Sequence, residues 1–142
     1  MARLIEDEAG VEALVKSLTR VAVLGIKTEQ HRGQPAFYVA EAVQSGGVEV
    51  VPVPVYYPEV TEILGEKVYR SLAAIPGPLD LVDVFRRPQD IEQHVDDLIA
   101  KKPRAVWFQL GIRNDAAAQR LVDAGIDVVQ DRCLMVDFRR YR

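Results

Sequence analysis

Along this chain, short runs of Val, Leu and Ile alternate with segments whose apolar residues recur at helical spacing. Arg20 to Gly25, Val48 to Val53, Leu79 to Val84, Arg104 to Leu110 and Ile126 to Val129 are each close to continuously apolar, which is how strands buried on both faces read. Between them, Pro35 to Gln44, Pro88 to Lys101 and Asn114 to Ala124 carry the helical period, and another helix, Glu8 to Leu18, precedes the first strand. The boundaries have the chemistry that such elements need. Pro35 and Pro88 suit a first helical turn, Asn114 suits a cap ahead of Asp115, and Gly46 and Gly125 suit helix exits. The alternation predicts a single α/β domain over residues 1–142, a doubly wound parallel sheet of about five strands with helices on both faces.

One stretch breaks the rhythm. "PVYYPEVTEILGEKVYRSLAAIPGP", Pro54 to Pro78, holds four prolines and at most a short helix around Glu66 to Ala73. It takes the place of an ordinary crossover helix and leaves from the carboxyl edge of the sheet, where ligands bind in this architecture. The loops Gly25 to Gln34, Pro54 to Tyr57, Phe85 to Pro88 and Gly111 to Arg113 are predicted to meet there.

Composition narrows the setting. Eighteen basic residues against 21 acidic ones give a net charge of −3. The basic residues are scattered, so no broad nucleic-acid surface is expected, while a small anionic ligand remains open. The lone Cys133 cannot form an internal disulfide, and no signal peptide stands out, so a reducing cytoplasm is the expected location. Charge or proline interrupts every apolar run far short of a membrane span.

The candidate chemistry lies in the loops. Gly25 to Gly33 contains Lys27, His31 and Arg32 ahead of the helix at Pro35. Free N–H groups and the dipole at that helix start would favour a diphosphate. There is no G-x-G-x-x-G and no G-x-x-x-x-G-K-[ST], so the residues alone leave open a phosphate cradle and a solvated polar loop. Arg86 and Arg87, in "LVDVFRRP", match a second phosphate or read as solvated arginines before a helix. His94 reads as a surface or boundary residue, and Trp107 and Phe108 as core. Gln109 and Gly111, at the end of the fourth strand, are better placed to touch a ligand. Arg132 could lower the pKa of Cys133, although a lone cysteine between apolar neighbours is more often packed.

Absences exclude several chemistries. "VVPVPVYY" offers no acid after the second strand to hold the ribose of a nicotinamide dinucleotide. "LGIKTE" lacks the acidic pair of a phospho-accepting receiver domain, no G-x-S-x-G elbow is present, and two histidines and one cysteine give no metal-ligand spacing.

Taken together, "VAVLGI" with "FYVAEAVQSGG", then "VEVVPV", "LVDVFRRP", "VWFQLGIRN" and "DRC" resemble the small stand-alone coenzyme A-binding proteins related to the N-terminal domain of the succinyl-CoA synthetase alpha subunit. The resemblance runs from Arg20 to Cys133 and implies a Rossmann-like sheet holding coenzyme A, or an acyl-CoA, at its carboxyl edge. By similar position it implies phosphate contacts at Gly25, Ile26, Lys27, His31 and Arg32. It implies packing on the nucleotide by Pro54, Val55 and Tyr56, and an adenosine end against Val84, Phe85, Arg86, Arg87 and Ile91. Gln109, Gly111 and Cys133 would face the pantetheine. Pro54 stands where the family commonly has asparagine, which removes an amide from the site. The chain ends soon after Cys133, so the synthetase's second domain and its phosphorylated histidine are not expected, and no ligase activity is inferred.

The leading expectation is therefore a non-catalytic binding module for coenzyme A or an acyl-CoA, acting as carrier or sensor, with no catalytic or metal-binding residues and no assigned protein partner. One alternative is an enzyme acting on an acyl-CoA thioester with Cys133 as nucleophile, for which no histidine base is positioned by sequence. Another is an interaction domain regulated by its nucleotide pocket.

Overall fold

The computed structural model describes residues 1–142 and shows five parallel strands in one sheet, with a small separate hairpin. In chain order the elements are α1 (Glu8–Lys16), β1 (Arg20–Leu24), α2 (Pro35–Ser45), β2 (Glu49–Val53), β3 (Glu62–Ile63), β4 (Glu66–Lys67), β5 (Leu81–Val84), α3 (Glu92–Lys101), β6 (Ala105–Phe108), α4 (Asp115–Asp123), β7 (Asp127–Val129) and α5 (Leu134–Tyr141). The sheet order is β2-β1-β5-β6-β7. Every neighbouring pair in it is parallel, with Val21 opposite Val50 on one side and Leu81 on the other. This is the Rossmann-like α/β architecture that the alternation predicts. No helix is long and apolar enough to cross a membrane.

Two apolar clusters lie on opposite faces of the sheet. One joins α1, α2 and α5 to Val21, Val23, Leu81 and Trp107, and the other joins α3 and α4 to Ala22, Val82, Val106 and Phe108. Alternation along each strand assigns successive side chains to opposite faces, so continuous apolar sequence is what a doubly covered strand requires. Asn114 caps α4 by accepting a hydrogen bond from the Ala117 N–H at 3.0 Å. Gly46 is needed for a different reason from a left-handed turn. Its φ is −82°, while a Cβ there would lie 2.3 Å from the Phe138 ring of α5; the left-handed residue is Gly47, at φ 95°.

The structure departs from the sequence reading in three places. The helix expected around Glu66 to Ala73 is absent: Glu66–Lys67 is β4, antiparallel to β3. Leu64 and Gly65 connect the two strands with positive φ values of 56° and 74°, the geometry of a two-residue hairpin turn. The Glu29 carboxylate accepts from the Leu64 N–H, and Gln44 Nε2 donates to the Leu64 carbonyl, so tertiary contacts hold that turn. The segment beginning at Pro88 is a single 3₁₀ turn, Pro88–Asp90, before α3. Finally, α5 follows Cys133, where no helix is expected. Its Asp137 is buried beneath Arg132, and Arg142 donates to the carbonyls of Val15 and Leu18 at the end of α1. The β7 edge is covered by the N-terminal segment, where the Ile5 N–H donates to the Val128 carbonyl at 2.8 Å.

Strand β5 carries a carboxyl group in the core. Asp83 is 0% exposed and lies in register between Val23 and Trp107. Gln109 Nε2 donates to its Oδ1, while Oδ2 has no partner. Burial pushes its pKa up to about 7, against which the Gln109 hydrogen bond is a smaller opposing influence.

Strand β1 ends at Gly25, whose N–H donates to the Val53 carbonyl at 2.9 Å with φ 88°. A Cβ at Gly25 would lie 2.2 Å from the Phe85 carbonyl oxygen. Gly25→Ala should therefore cost on the order of 2 kcal/mol or more, read as a lower urea midpoint, because the side chain meets both a disfavoured φ and a backbone atom. An unchanged midpoint would contradict that close approach. For Asp83, the native state retains a proton that the unfolded chain has released between about pH 4 and about pH 7, so this group's contribution to stability falls as pH rises through that window. Asp83→Asn keeps an acceptor for Gln109 and cannot ionise. It should match the wild type near pH 4 and exceed it by on the order of 2–4 kcal/mol near pH 8. Identical stability curves across that range would show that the carboxyl is not held neutral.

Candidate functional site

The strand order reverses direction between β1 and β5, since β2 lies on one side of β1 and the rest of the sheet on the other. In open α/β sheets the crevice at the carboxyl ends of such a strand pair is where ligands sit. A cleft of about 500 Å³ opens there, within the range of small-molecule sites. Lys27 reaches it from the loop after β1, and Gln34, Pro35, Ala36 and Tyr38 from the start of α2. Phe85 to Pro88 line it after β5, Gln109, Leu110 and Ile112 after β6, and Cys133 ahead of α5. A larger groove of about 760 Å³ lies between α2 and α5, on the helical flank rather than at the strand ends.

The cleft is basic in a protein of net charge −3. Lys27, Arg86 and Arg87 line it, and no Asp or Glu does. Lys27 Nζ donates to the Gln34 side-chain carbonyl. Gln34 stands at the start of α2 but does not cap it, so the first turn of the helix, with its dipole, faces the cleft without a capping side chain. Arg86 donates through Nε to His94 Nε2 at 3.1 Å, and its guanidinium carbon lies 5.8 Å from the centre of the Tyr56 ring. Neither Lys27 nor Arg86 has a carboxylate partner. Arg87 does: Asp90 sits 2.6 Å from its Nε, an exposed pair that raises the pKa of Arg87 and lowers that of Asp90.

The remaining residues singled out in the sequence are spread over the surroundings. Ile26, Val84 and Ile91 are core residues, 1%, 0% and 0% exposed. The His31 ring lies beside that of Tyr57, tilted by 43° with 5.5 Å between ring centres, and Thr28 Oγ1 lies 3.3 Å from its Nδ1. Arg32 pairs with Glu41 at 3.2 Å and lies over the Phe37 ring. Neither His31 nor Arg32 lines the cleft. Pro54 and Val55 line a neighbouring hollow of about 210 Å³ together with Arg70, His94 and Asp97, and Tyr56 is exposed. The Gly111 N–H donates to Asp131 Oδ1 at 2.7 Å, which ties the loop after β6 to the turn after β7.

That turn corrects the reading of Arg132 as a neighbour that activates Cys133. The Arg132 guanidinium donates to Asp137 at 2.8 Å and to Glu8 at 2.8 Å, and both carboxylates raise its own pKa. Its charge serves the α1–α5 junction. The Arg132 carbonyl accepts from Trp107 Nε1, and Gln109 Oε1 accepts from the Leu134 N–H at 3.4 Å, so the turn hangs on the end of β6. Cys133 is half-buried at the foot of α5, beside the apolar part of the cleft.

Sequence reasoning passed over Gln34, Tyr38, Leu110 and Ile112, which line the cleft, and Arg70 in its surroundings, while His94, read as a surface or boundary residue, bonds to Arg86. Arg70 donates to the carbonyls of Tyr56, Tyr57 and Val60 and so folds the connection after β2 back on itself. Gln34 is the one with a sequence signal, as the residue preceding a helix-starting proline.

Comparison with known proteins bears on the family and the fold. The chain matches the family described as CoA binding domain over residues 19–139. The uncharacterized protein YneT of Bacillus subtilis (strain 168) is 32% identical over 130 residues, covering 92% of this chain and 93% of its own. The solved structure of cell-free ID.343 from Thermus thermophilus is similar with a TM-score of 0.87 at 34% identity, over 96% of this chain and 100% of that one. A dinucleotide-forming acetyl-coenzyme A synthetase 1 of Ca. Korarchaeum cryptofilum, at 16% identity and a TM-score of 0.65, matches 78% of this chain with 25% of its own and shares the fold. With the family match running from the residue before β1 into α5, the chain belongs to the CoA binding domain family.

Proposed function

We propose that the cleft holds coenzyme A or an acyl-CoA non-covalently and that the protein acts as a carrier or sensor of it, in a reducing cytoplasm where Cys133 stays a free thiol. The observation that carries this reading is the charge of the cleft: Lys27, Arg86 and Arg87 without an acidic residue, at the switch point of a parallel sheet. Coenzyme A concentrates its negative charge on a diphosphate and a 3′-phosphate and is otherwise a long, nearly neutral arm. A basic wall at the α2 start and after β5, continuing into Leu110, Ile112 and Cys133, suits that division. The family match supports the ligand class. The individual contacts at Gly25, Lys27, Arg86, Arg87, Gln109 and Cys133 belong to the proposal.

Calorimetric titration tests it. Coenzyme A should bind, and dephospho-coenzyme A should bind about tenfold more weakly, because each charge-assisted contact to a phosphate contributes roughly 1.5–3 kcal/mol. Arg86→Ala should weaken binding by a similar factor, and added salt should weaken it further. No heat and no thermal shift at millimolar coenzyme A would overturn the reading.

One observation favours a second reading. Cys133 lines the same cleft, so a bound acyl thioester could meet a protein thiol. Acetyl-CoA incubated with the protein would then release free coenzyme A thiol, with turnover abolished in Cys133→Ser. Absence of thiol release above the buffer rate would leave the binding module.

A further inference from the structure

Arg86 differs from the other arginines around the carboxyl edge in how its donors are engaged. Arg32, Arg87 and Arg113 each lie within 4.0 Å of a carboxylate, at Glu41, Asp90 and Asp115, and Arg70 donates to three backbone carbonyls. Arg86 uses only Nε, toward His94, and its terminal amino groups have no acceptor in the protein. A guanidinium held by one edge, with its fork unengaged in a basic cleft, is arranged to take a phosphate or carboxylate in two parallel hydrogen bonds.

We propose that His94 is the positioning residue of this anion site: as a neutral imidazole it accepts the Arg86 Nε hydrogen bond and holds the guanidinium fork toward the cleft. The inference rests on the reading of the cleft as a coenzyme A site and specifies how its arginine is presented. Because Nε2 accepts, the ring proton sits on Nδ1. The hydrogen bond joins the β5–α3 connection to the first turn of α3, His94 also lines the neighbouring hollow, and Tyr56 approaches the guanidinium from the connection after β2. A side chain that orients Arg86 without touching ligand explains why an isolated histidine in the first turn of α3 carries no recognisable motif.

This arrangement depends on pH through His94. The charged groups facing it are Arg86 on the β5–α3 connection, Asp90 in the 3₁₀ turn, Asp97 on its own helix and Arg70 across the hollow. Burial, and then Arg86, favour the neutral ring, while Asp97 and Asp90 oppose them; the balance lowers the pKa below the ordinary histidine value. At neutral pH His94 is therefore an acceptor. Once protonated it has no lone pair for Nε and repels the guanidinium, so Arg86 loses its anchor as pH falls below the usual histidine range.

The experiment is coenzyme A titration of the wild type, His94→Leu and His94→Gln between about pH 5 and about pH 8. Binding by the wild type near pH 8 establishes the reading on which the inference rests; its absence there would overturn that reading and, with it, any role for His94. Given binding, His94→Leu should weaken it about tenfold near pH 8, and His94→Gln, which supplies a carbonyl acceptor, should restore it to within about threefold. Titration of the ligand's own 3′-phosphate is common to all three proteins. The wild type should therefore lose at least about fivefold more affinity than His94→Gln on acidification to about pH 5. Equal affinity of wild type and His94→Leu near pH 8, or superimposable pH profiles for wild type and His94→Gln, would overturn the proposal. If His94→Leu does not fold, the comparison with His94→Gln decides it alone.

Discussion

The contact between Gly25 and the Phe85 carbonyl sets the distance between the two loops on which the cleft depends. Leu24 accepts from the Phe85 N–H, Gly25 donates to Val53, and the Phe85 oxygen occupies the space a side chain at position 25 would need. The ends of β2, β1 and β5 are thereby joined by backbone atoms where the strand order reverses. Lys27 and Arg86 follow these anchor points by a residue or two, so the same contact brings them to one cleft. Here the glycine acts through two strand ends rather than through a phosphate-binding fingerprint, and the missing second glycine of that fingerprint is consistent with this geometry.

Charge is partitioned around that contact. Arg32, Arg87 and Arg132 are engaged by Glu41, Asp90 and the Glu8 and Asp137 pair, whereas Lys27 and Arg86 meet only neutral acceptors, Gln34 and His94. The Arg32–Glu41 pair and the Arg132 pairs offset positive charge outside the cleft, and Asp90 offsets that of Arg87 on its wall, which leaves Lys27 and Arg86 as the cleft's cations without a carboxylate partner. The result is a local positive field on an acidic protein, which is how a small anion is recognised without a basic surface that attracts nucleic acid.

Beneath the cleft, Gln109 links its wall to the core. Its Nε2 donates to Asp83 and its Oε1 accepts from the Leu134 N–H, so a single amide spans a buried carboxyl and the first residue of α5. The same helix closes the apolar face against α1 and α2 through Phe138, which lies against Gly46, and its last residue, Arg142, satisfies the end of α1. The site therefore shares α5 with the stability of the fold, and a buried carboxyl with an unpartnered oxygen is accepted in the strand that leads into the arginines.

Local sequence by itself determined the parallel sheet, because continuous Val, Leu and Ile runs cannot be exposed on either face, and it marked α2 and α4 through Pro35 and Asn114, whose chemistry acts within a few residues. It also located the loops that bear Lys27, Arg86, Arg87, Gln109 and Cys133, since each follows a strand, and its motifs pointed to the family that the comparisons identify. Where partners distant in the chain set the outcome, only the tertiary structure decided. The Leu64–Gly65 turn depends on Glu29 and Gln44, α5 depends on the buried Arg132–Asp137 pair in place of a capping side chain, and Arg132 turns from Cys133 to Glu8 across the whole chain. His31 and Arg32 lie in the expected loop, yet Tyr57 and Glu41 draw them aside. His94 is the boundary residue its sequence allows, but its contact with Arg86 appears only once α3 packs, because which arginine keeps its donors unengaged depends on three-dimensional neighbours that no spacing along the chain encodes.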